Sequence, residues 1–455
     1  MLLGVSFYIW FPGSSGNCES IRDGGNLMTE VVATNETILV VGGGISGMTA
    51  ALEAAECGKN VLLVEKSASL GGRVSQLYRY FPKLCHPICG LEINLRRIKS
   101  NPRIRVLTMT EVTAVTGAKG DYSVALKTAP RYVNENCTAC GECSNAVSTE
   151  VPDAFNYNLG KVKAAYLPHK MAYPQRYVIA PSIIGTAEAE AAKAACKYSA
   201  IDLDMKEEAL QVKVGAVIWA TGWKPYDAAK IQPYGYGRFK NVITSVEFER
   251  LADPYGPTGG KILRPSDGKE AKNVAFIQCA GSRDENHLRH CSRICCMASL
   301  KQTTYVQEKF GDEGKSTIYY IDIRAIDRFE DFYAKVRANT NVTFTKSKVA
   351  KVVENEQNGN PVLHGVDTEG YHRYANEHDL VVLAVGMEPS VKGADIPADV
   401  IADSSGFLSL DEANGGIYGA GCATNALDVN RAVQSATASA LRAIQVINRV
   451  ARAEG

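Results

Sequence analysis

Two kinds of residue in this chain are spaced for chemistry: glycines at the end of an apolar run, and cysteines in tight groups. The glycines lie in Gly42-Gly43-Gly44-Ile45-Ser46-Gly47, after Ile38-Leu39-Val40-Val41 and before an alanine-rich stretch from Met48 to Glu56. A strand, a glycine turn and a helix in that order hold a dinucleotide. Gly42 permits the tight turn, Gly44 lets the backbone approach a pyrophosphate, and Gly47 lets helix and strand pack closely. The N–H groups that open the helix at Ile45 and Ser46 carry the phosphate charge. Glu65, closing the next apolar run Val61 to Val64, is placed to accept from the ribose hydroxyls. The thiols offer different chemistry. Cys137, Cys140 and Cys143 form C-x2-C-x2-C, a spacing at which three thiolates wrap one corner of an iron–sulfur cubane, with Gly141 easing the turn. Cys279, Cys291, Cys295 and Cys296 crowd a second stretch, interleaved with Arg283, Arg289 and Arg293. Adjacent cysteines strain badly as a disulfide but can serve one cluster through opposed side chains, and thiolates belong beside cations. Buried structural cysteines are the alternative for this stretch.

The elements around these residues narrow the chemistry. The run Glu65-Lys66-Ser67-Ala68-Ser69-Leu70-Gly71-Gly72-Arg73 resembles the FAD site of two-dinucleotide-binding flavoproteins. In such proteins the glycine pair, here with Gly72, passes along the pyrophosphate, and an arginine such as Arg73 adds charge-assisted contacts. A second mark is the apolar strand Val217-Ile218-Trp219 ending in Ala220-Thr221-Gly222. A third is Gly416-Ile417-Tyr418-Gly419-Ala420-Gly421-Cys422 ahead of a small-residue helix from Asn430. There the usual Gly-Asp pair, whose Asp binds the ribityl chain, reads Gly421-Cys422. The implied cofactor is FAD.

The expected fold class is α/β: a Rossmann-like FAD domain and a thioredoxin-reductase-like second domain, with an inserted ferredoxin-like module. Residues 36–132 carry the first part of the FAD domain, 205–272 its second part and a Pro/Gly-rich crossover, and 391–455 its third part. Residues 273–390 form the second α/β domain, and 133–204 the insert. In the insert, the fourth cysteine of a ferredoxin motif is replaced by Val147, and Ala195-Cys196-Lys197 resembles the end of a second such motif, so Cys196 fits as the missing ligand. A degenerate insert without metal is the alternative. Residues 1–35 read as a disordered or mis-called extension, with Met28 a plausible start. The chain has 455 residues, 45% of them apolar, and a net charge of +1, so it can fill several cores and shows no basic field for nucleic acid. It has no apolar run long enough to span a bilayer.

The set Cys279, Cys291-Ser292-Arg293-Ile294-Cys295-Cys296-Met297, with the flavin marks and the insert ahead of Ala220-Thr221-Gly222, resembles the A subunit of heterodisulfide reductase and its relatives. The resemblance implies that Cys279, Cys291, Cys295 and Cys296 bind a [4Fe-4S] cluster near the flavin. The short form is similar to the A subunit of the quinone-interacting membrane-bound oxidoreductase, a complex passing electrons between menaquinone and adenylylsulfate reductase. The implied partners are a membrane haem subunit plus a second flavin or iron–sulfur subunit, in a cytoplasmic complex on the inner membrane. Other readings are a soluble heterodisulfide-reductase-type subunit in flavin-based electron bifurcation, an NAD(P)H-dependent disulfide reductase, and a scaffold with a vestigial flavin site. No glycine loop follows Val274 to Ile277, which disfavours a pyridine nucleotide. Cys85-His86-Pro87-Ile88-Cys89 invites a redox-disulfide reading, but the pair lies too far past Gly72 for the disulfide-reductase pattern, and a structural pair is equally expected. The histidines have no zinc-hydrolase spacing.

Overall fold

The computed structural model describes residues 34–393, 396–398, 400–409 and 415–453, with short strands at Arg22–Asp23, Asn26–Leu27 and Thr29–Val31 before them. The rest of the leading extension lies outside the described residues. The strand Thr37–Val41 is buried along its whole length, as a parallel strand covered on both faces must be. It is the middle of a five-stranded parallel sheet in the order Ile417–Gly419, Ala216–Trp219, Thr37–Val41, Asn60–Glu65, Ile104–Thr108. Alternation then divides its side chains between two layers. Ile38 and Val40 pack on the helices Ile45–Glu56 and Val429–Ala453. Leu39 and Val41 pack on an antiparallel layer built from Thr110–Ala118, Asp121–Thr128 and Glu208–Val214. Ala432, Ala436, Ala440 and Ala443 recur at helical spacing and are buried, so the long C-terminal helix settles close against Ile45–Glu56.

The second domain repeats this plan. Its parallel sheet runs Val242–Thr244, Leu380–Val385, Asn273–Ala280, Lys315–Tyr320, Val342–Lys346, and its antiparallel layer is Lys351–Glu354, Pro361–Asp367 and His372–Glu377. In each sheet the strand that opens the unit is flanked by its immediate successor and by the strand that returns after the antiparallel layer. Ala275 and Ile277 face that layer, and Val274 and Phe276 face the helices Ser245–Ala252 and Cys295–Phe310. The stretch 205–272 therefore holds more than the FAD domain's second part and a crossover. Val242–Thr244 is the edge strand of the second sheet, and Ser245–Ala252 follows it as a helix with a capping box between Thr244 and Glu247. The irregular path expected from its prolines and glycines is split between the short turns leading up to Val242 and the stretch after Ala252.

The insert occupies residues 129–207, between two neighbouring strands of the first antiparallel layer, Asp121–Thr128 and Glu208–Val214. It has its own small core of Val133, Val147, Ala164, Ile179, Ile183 and Ile201. Two short hairpins, Glu150–Pro152 with Lys161–Lys163 and Ala165–Tyr166 with Val178–Ile179, join the helices Glu142–Asn145 and Ala187–Ala195 around it. The two domains are tied by Trp223–Pro225 pairing antiparallel with Met387–Pro389.

All three units meet at Arg250, whose side chain is almost wholly buried. Its Nη1 pairs with Asp253 Oδ2 at 2.7 Å and donates to Gln76 O at 3.3 Å, and its Nε donates to Asn156 Oδ1 of the insert at 2.7 Å. Burial opposes the charge on Asp253, yet His86 and Arg250 hold its carboxyl below the usual range. Removing one partner from a buried pair strands the other charge, so Arg250→Met should destabilise the protein by about 3–5 kcal/mol. Urea unfolding of the purified chain measures it, and a loss under about 1 kcal/mol would show that the junction does not hold the units together.

Candidate functional site

The first site lies at the carboxyl ends of the first sheet. The backbone leaves Val41 at Gly42, with φ +107° and Gly42 N bonded to Val64 O at 2.7 Å. A Cβ at Gly42 would stand 2.4 Å from Ala220 O, and one at Gly47 would stand 1.7 Å from Gly42 O. Both positions therefore exclude a side chain for reasons internal to the fold. Gly44 differs: a Cβ there would find only Gly72 Cα, at 3.8 Å. Gly71 N donates to Gly43 O at 2.9 Å, and Gly72 lies against Gly44, so two glycine segments form one bare backbone surface. Gly44 caps the helix Ile45–Glu56 without a side-chain bond and no acid occupies the first turn, leaving N–H groups and the positive helix end toward that surface. Glu65 sits beside it, accepting from Gly43 N at 2.5 Å and from Ser67 N at 2.7 Å. Thr221 Oγ1 is buried without a partner. A bare cradle, an exposed helix N-terminus and an orphaned hydroxyl fit a bound dinucleotide.

The other residues expected here have different engagements. Lys66 reaches out to Glu111 at 2.9 Å from an exposed position, so its ammonium is spent away from the cradle. Arg73 donates to Trp223 O at 3.2 Å and to Gln76 Oε1 and Tyr157 OH at 3.2 and 3.1 Å, with its guanidinium over the rings of Tyr157 and Trp223. Its bonded donors serve protein acceptors rather than phosphate. Gly421 has φ +62° and lies against Ser46, and its N–H donates to Ser435 Oγ at 3.0 Å. Cys422 is buried, which pushes its thiol up to about 11, and it donates to Leu427 O rather than facing solvent.

The thiols assemble in two places. Cys137, Cys140, Cys143 and Cys196 line one small cavity in the insert with Val133, Tyr177 and Ile201. Gly141, at φ +90°, opens the helix Glu142–Asn145 that carries Cys143. Val147, where a ferredoxin would place a cysteine, is in the core. Backbone N–H groups already point at sulfur: Ala139 N at Cys137 Sγ, 3.5 Å, and Ala200 N at Cys196 Sγ, 3.4 Å. Burial, with Cys137, Cys140 and Cys196 nearby, pushes the Cys143 thiol up to about 11.

In the second domain, Cys279 ends the strand Asn273–Ala280, and Cys295 and Cys296 open the helix Cys295–Phe310. Burial, with Cys279, Cys296 and Cys291 nearby, pushes the Cys295 thiol well up, and Cys296 rises to about 11. Burial raises Cys279 too, against the opposing charge of Arg283. Arg293 N donates to Cys291 Sγ at 3.4 Å, while its side chain pairs with Asp428 at 3.2 Å. Arg283 and Arg324 both pair with Asp322. Among the described residues no three His, Cys, Asp or Glu stand close enough to close on a single metal ion. A cubane takes its thiolates at separate corners, wider apart than one ion does, so both groups stay open to a cluster. Cys85 is half-buried and Cys89 exposed, and neither forms a disulfide. Tyr157, Asp322, Arg324 and Asp428 carry no motif, and nothing in their spacing could have marked them.

Comparison with known proteins agrees with this geometry. A family of FAD dependent oxidoreductases matches residues 37–128. The chain is 38% identical over 92% of its length to an iron-sulfur A subunit of the CoB–CoM heterodisulfide reductase of Methanopyrus kandleri, covering 65% of that protein. It is 35% identical over 92% of its length to the A subunit of the ferredoxin/F420H2-dependent CoB-CoM heterodisulfide reductase of Methanosarcina acetivorans, covering 55% of it. It is 36% identical over 90% of its length to the A subunit of the H2:CoB-CoM heterodisulfide,ferredoxin reductase of Methanothermobacter marburgensis, covering 64% of it. The chain thus spans between about half and two thirds of these relatives. In fold it is similar to Lactococcus lactis thioredoxin reductase, with TM-score 0.50, 12% identity, and 91% of this chain and 98% of that one covered. It is equally similar to the bacillithiol disulfide reductase of Bacillus cereus, with TM-score 0.50, 13% identity, and 92% and 99% covered.

Two glycines separate folding from binding. Gly44→Val should leave a folded protein that retains no FAD, because its Cβ meets no protein atom closer than Gly72 Cα at 3.8 Å and projects over the bare cradle. Gly47→Ala should unfold or lower the melting temperature steeply, because its Cβ meets backbone. Bound flavin absorbance and thermal melting of both variants check this; an FAD-replete Gly44→Val protein would move the site elsewhere.

Proposed function

We propose that this chain, which belongs to the heterodisulfide reductase A-like flavoproteins and is an FAD-dependent oxidoreductase, serves as an electron-transfer subunit linking two-electron and one-electron carriers. The observation that carries the reading is the replacement at the end of the second sheet. Where the first sheet leads from Val41 into the glycines that cradle a dinucleotide, the second leads from Ile277 into Cys279 and the other three thiols. No glycine nest is offered there to a pyridine nucleotide. FAD would lie on Gly42, Gly43, Gly44 and Gly72 beside Glu65, Thr221 and Gly421, where it exchanges electrons in pairs. Cys279, Cys291, Cys295 and Cys296 would hold one [4Fe-4S] cluster, and Cys137, Cys140, Cys143 and Cys196 another, each passing single electrons. The name of the Methanopyrus relative, which calls it an iron-sulfur subunit, supports the thiol assignment. The chain's own contribution is placement. The backbone N–H donors at Cys137, Cys196 and Cys291 stabilise charge on sulfur, and the helix end at Cys295 does the same.

In this reading the physiological exchange runs between menaquinone and adenylylsulfate reductase, with the quinone met by a separate membrane haem subunit. No helix among the described residues is long and apolar enough to cross a membrane. A second reading, a component of flavin-based electron bifurcation, is favoured by the ferredoxin named in two of the relatives. Reconstitution with menaquinol and adenylylsulfate reductase, against reconstitution with reduced ferredoxin, separates the two.

Anoxically purified protein should carry one FAD and about four to eight iron atoms per chain. Cys295→Ser or Cys296→Ser should abolish one electron paramagnetic resonance signal, and Cys140→Ser or Cys196→Ser a different one. Unchanged iron in Cys196→Ser would leave Cys196 a buried thiol and refute the insert's cluster.

NADH or NADPH in large excess should bleach the bound flavin only very slowly, while a low-potential one-electron donor bleaches it readily. Anaerobic stopped-flow spectroscopy reads both. Fast, saturable bleaching by NADH would restore the disulfide-reductase reading.

A further inference from the structure

Gln278 is 4% exposed, and neither its amide nitrogen nor its amide oxygen has a partner. Buried amides are nearly always paired, so this one calls for a physical cause. Its position supplies one. Across the sheet Ile277 pairs with Leu383 and Ala280 with Val385, so three steps on this strand face two on its neighbour. Gln278 and Cys279 are the residues of that bulge, and Cys279 adopts φ +56° in it. Bulges of this kind re-aim side chains beside functional sites. Ile277 and Ala280 both pack into the layer of Tyr226 and Tyr234. Val274 and Phe276 pack the other way, on Leu300 and Val306 of the helix Cys295–Phe310, and alternation puts Gln278 on that same face, nearer the helix N-terminus. There the first helical turn presents Cys295, whose Sγ lies 3.8 Å from Val385 O, the carbonyl of Ala280's partner. One turn further on, Ser299 is fully buried and its hydroxyl is also unpartnered.

Two orphaned polar groups, Gln278 next to Cys279 on the strand and Ser299 one turn past Cys295 on the helix, thus flank the thiols on both elements. We infer that Gln278 is a tuning residue for the group those thiols hold: its amide N–H donates to sulfur of the bound cluster, thiolate or sulfide. This rests on the reading of Cys279, Cys291, Cys295 and Cys296 as cluster ligands. A donor to sulfur stabilises the extra negative charge of the reduced cluster, so it raises the reduction potential. Unlike the backbone donor at Cys291, it is a side chain and can be removed without altering the fold of the loop. Gln278 thereby sets how readily this cluster accepts an electron, while the cluster of the insert is untouched.

The test uses the full chain purified anoxically with its cofactors, as wild type, Gln278→Leu and Gln278→Met. Iron and acid-labile sulfide are counted, and the potential of each cluster is followed by electron paramagnetic resonance during redox titration. The expected result is full iron in both variants, a second-domain cluster shifted to more negative potential, and an unshifted insert cluster. If leucine's branch disturbs the bulge, Gln278→Met, unbranched and of matching length, provides the measurement. A second readout needs no cluster: iron-free Gln278→Leu should melt roughly 1–3 °C above iron-free wild type, because a buried unpaired amide is gone. Full iron with an unchanged potential would overturn the inference, as it would if internal water satisfied the amide, and leave the cluster reading standing. A wild-type protein whose iron is insensitive to Cys295→Ser would instead overturn the cluster reading itself.

Discussion

At the carboxyl end of each central strand the backbone must leave its extended path within a residue or two, and what the chain uses for that turn decides what the domain can hold. In the first domain the turn is made by Gly42, because Ala220 O stands where any Cβ would go. A glycine turn exposes N–H groups and nothing else, which suits a pyrophosphate. In the second domain the turn is a bulge at Gln278 and Cys279, and side chains rather than backbone face the same open end of the sheet. Both ends are completed by a helix N-terminus, Ile45–Glu56 in one and Cys295–Phe310 in the other. The positive end of a helix favours negative charge whether that charge is phosphate or thiolate. One architecture, used twice, thus offers two kinds of anion site.

The thiols show how such a site would suit a metal. Burial raises Cys143, Cys295 and Cys296 so far that at neutral pH they would stay protonated and unreactive on their own. Metal ligation reverses this, since a coordinating thiol is deprotonated outright. The N–H groups of Ala139, Ala200 and Arg293 already directed at sulfur are donors that gain most when the sulfur is charged.

Much of this was legible in the sequence, and the reason is locality. The turn at Gly42, the helix after it and Glu65 lie within one βαβ unit, and their spacing states their geometry. Cys137, Cys140 and Cys143 share that locality, whereas Cys196, which lines the same cavity, was found by its motif rather than by proximity. What escaped was set by contacts across long sequence distances. Arg73 reads as a phosphate ligand from its place after Gly72, yet its partners Tyr157 and Trp223 are 84 and 150 residues away. Lys66 is drawn outward by Glu111 on another strand. The edge strand Val242–Thr244 is too short to show a period, and only its pairing with Leu380–Val385 defines it.

Those distant contacts also bind the insert to the rest. Gln76 Nε2 donates to Phe155 O at 2.8 Å, and Tyr157 OH bonds Gln76 Oε1 at 3.0 Å, so the segment that follows the glycine pair is held by the insert. Arg250 reaches the same place from the second domain through Asn156 and Gln76 O. Its neighbour Glu249, equally buried, pairs with Lys301 at 3.0 Å and accepts from Tyr78 N, Gln302 and Tyr305, reaching back into the same segment. Such pairs are a weak source of net stability, but they tolerate little misplacement, because a displaced partner leaves a bare charge in the interior. The short helix Ser245–Ala252 therefore fixes where the insert and both domains sit relative to the glycine segment. The same helix thereby holds the glycine segment in register with both domains, since a shift of Gln76 or Tyr78 would strip Arg250 or Glu249 of a partner.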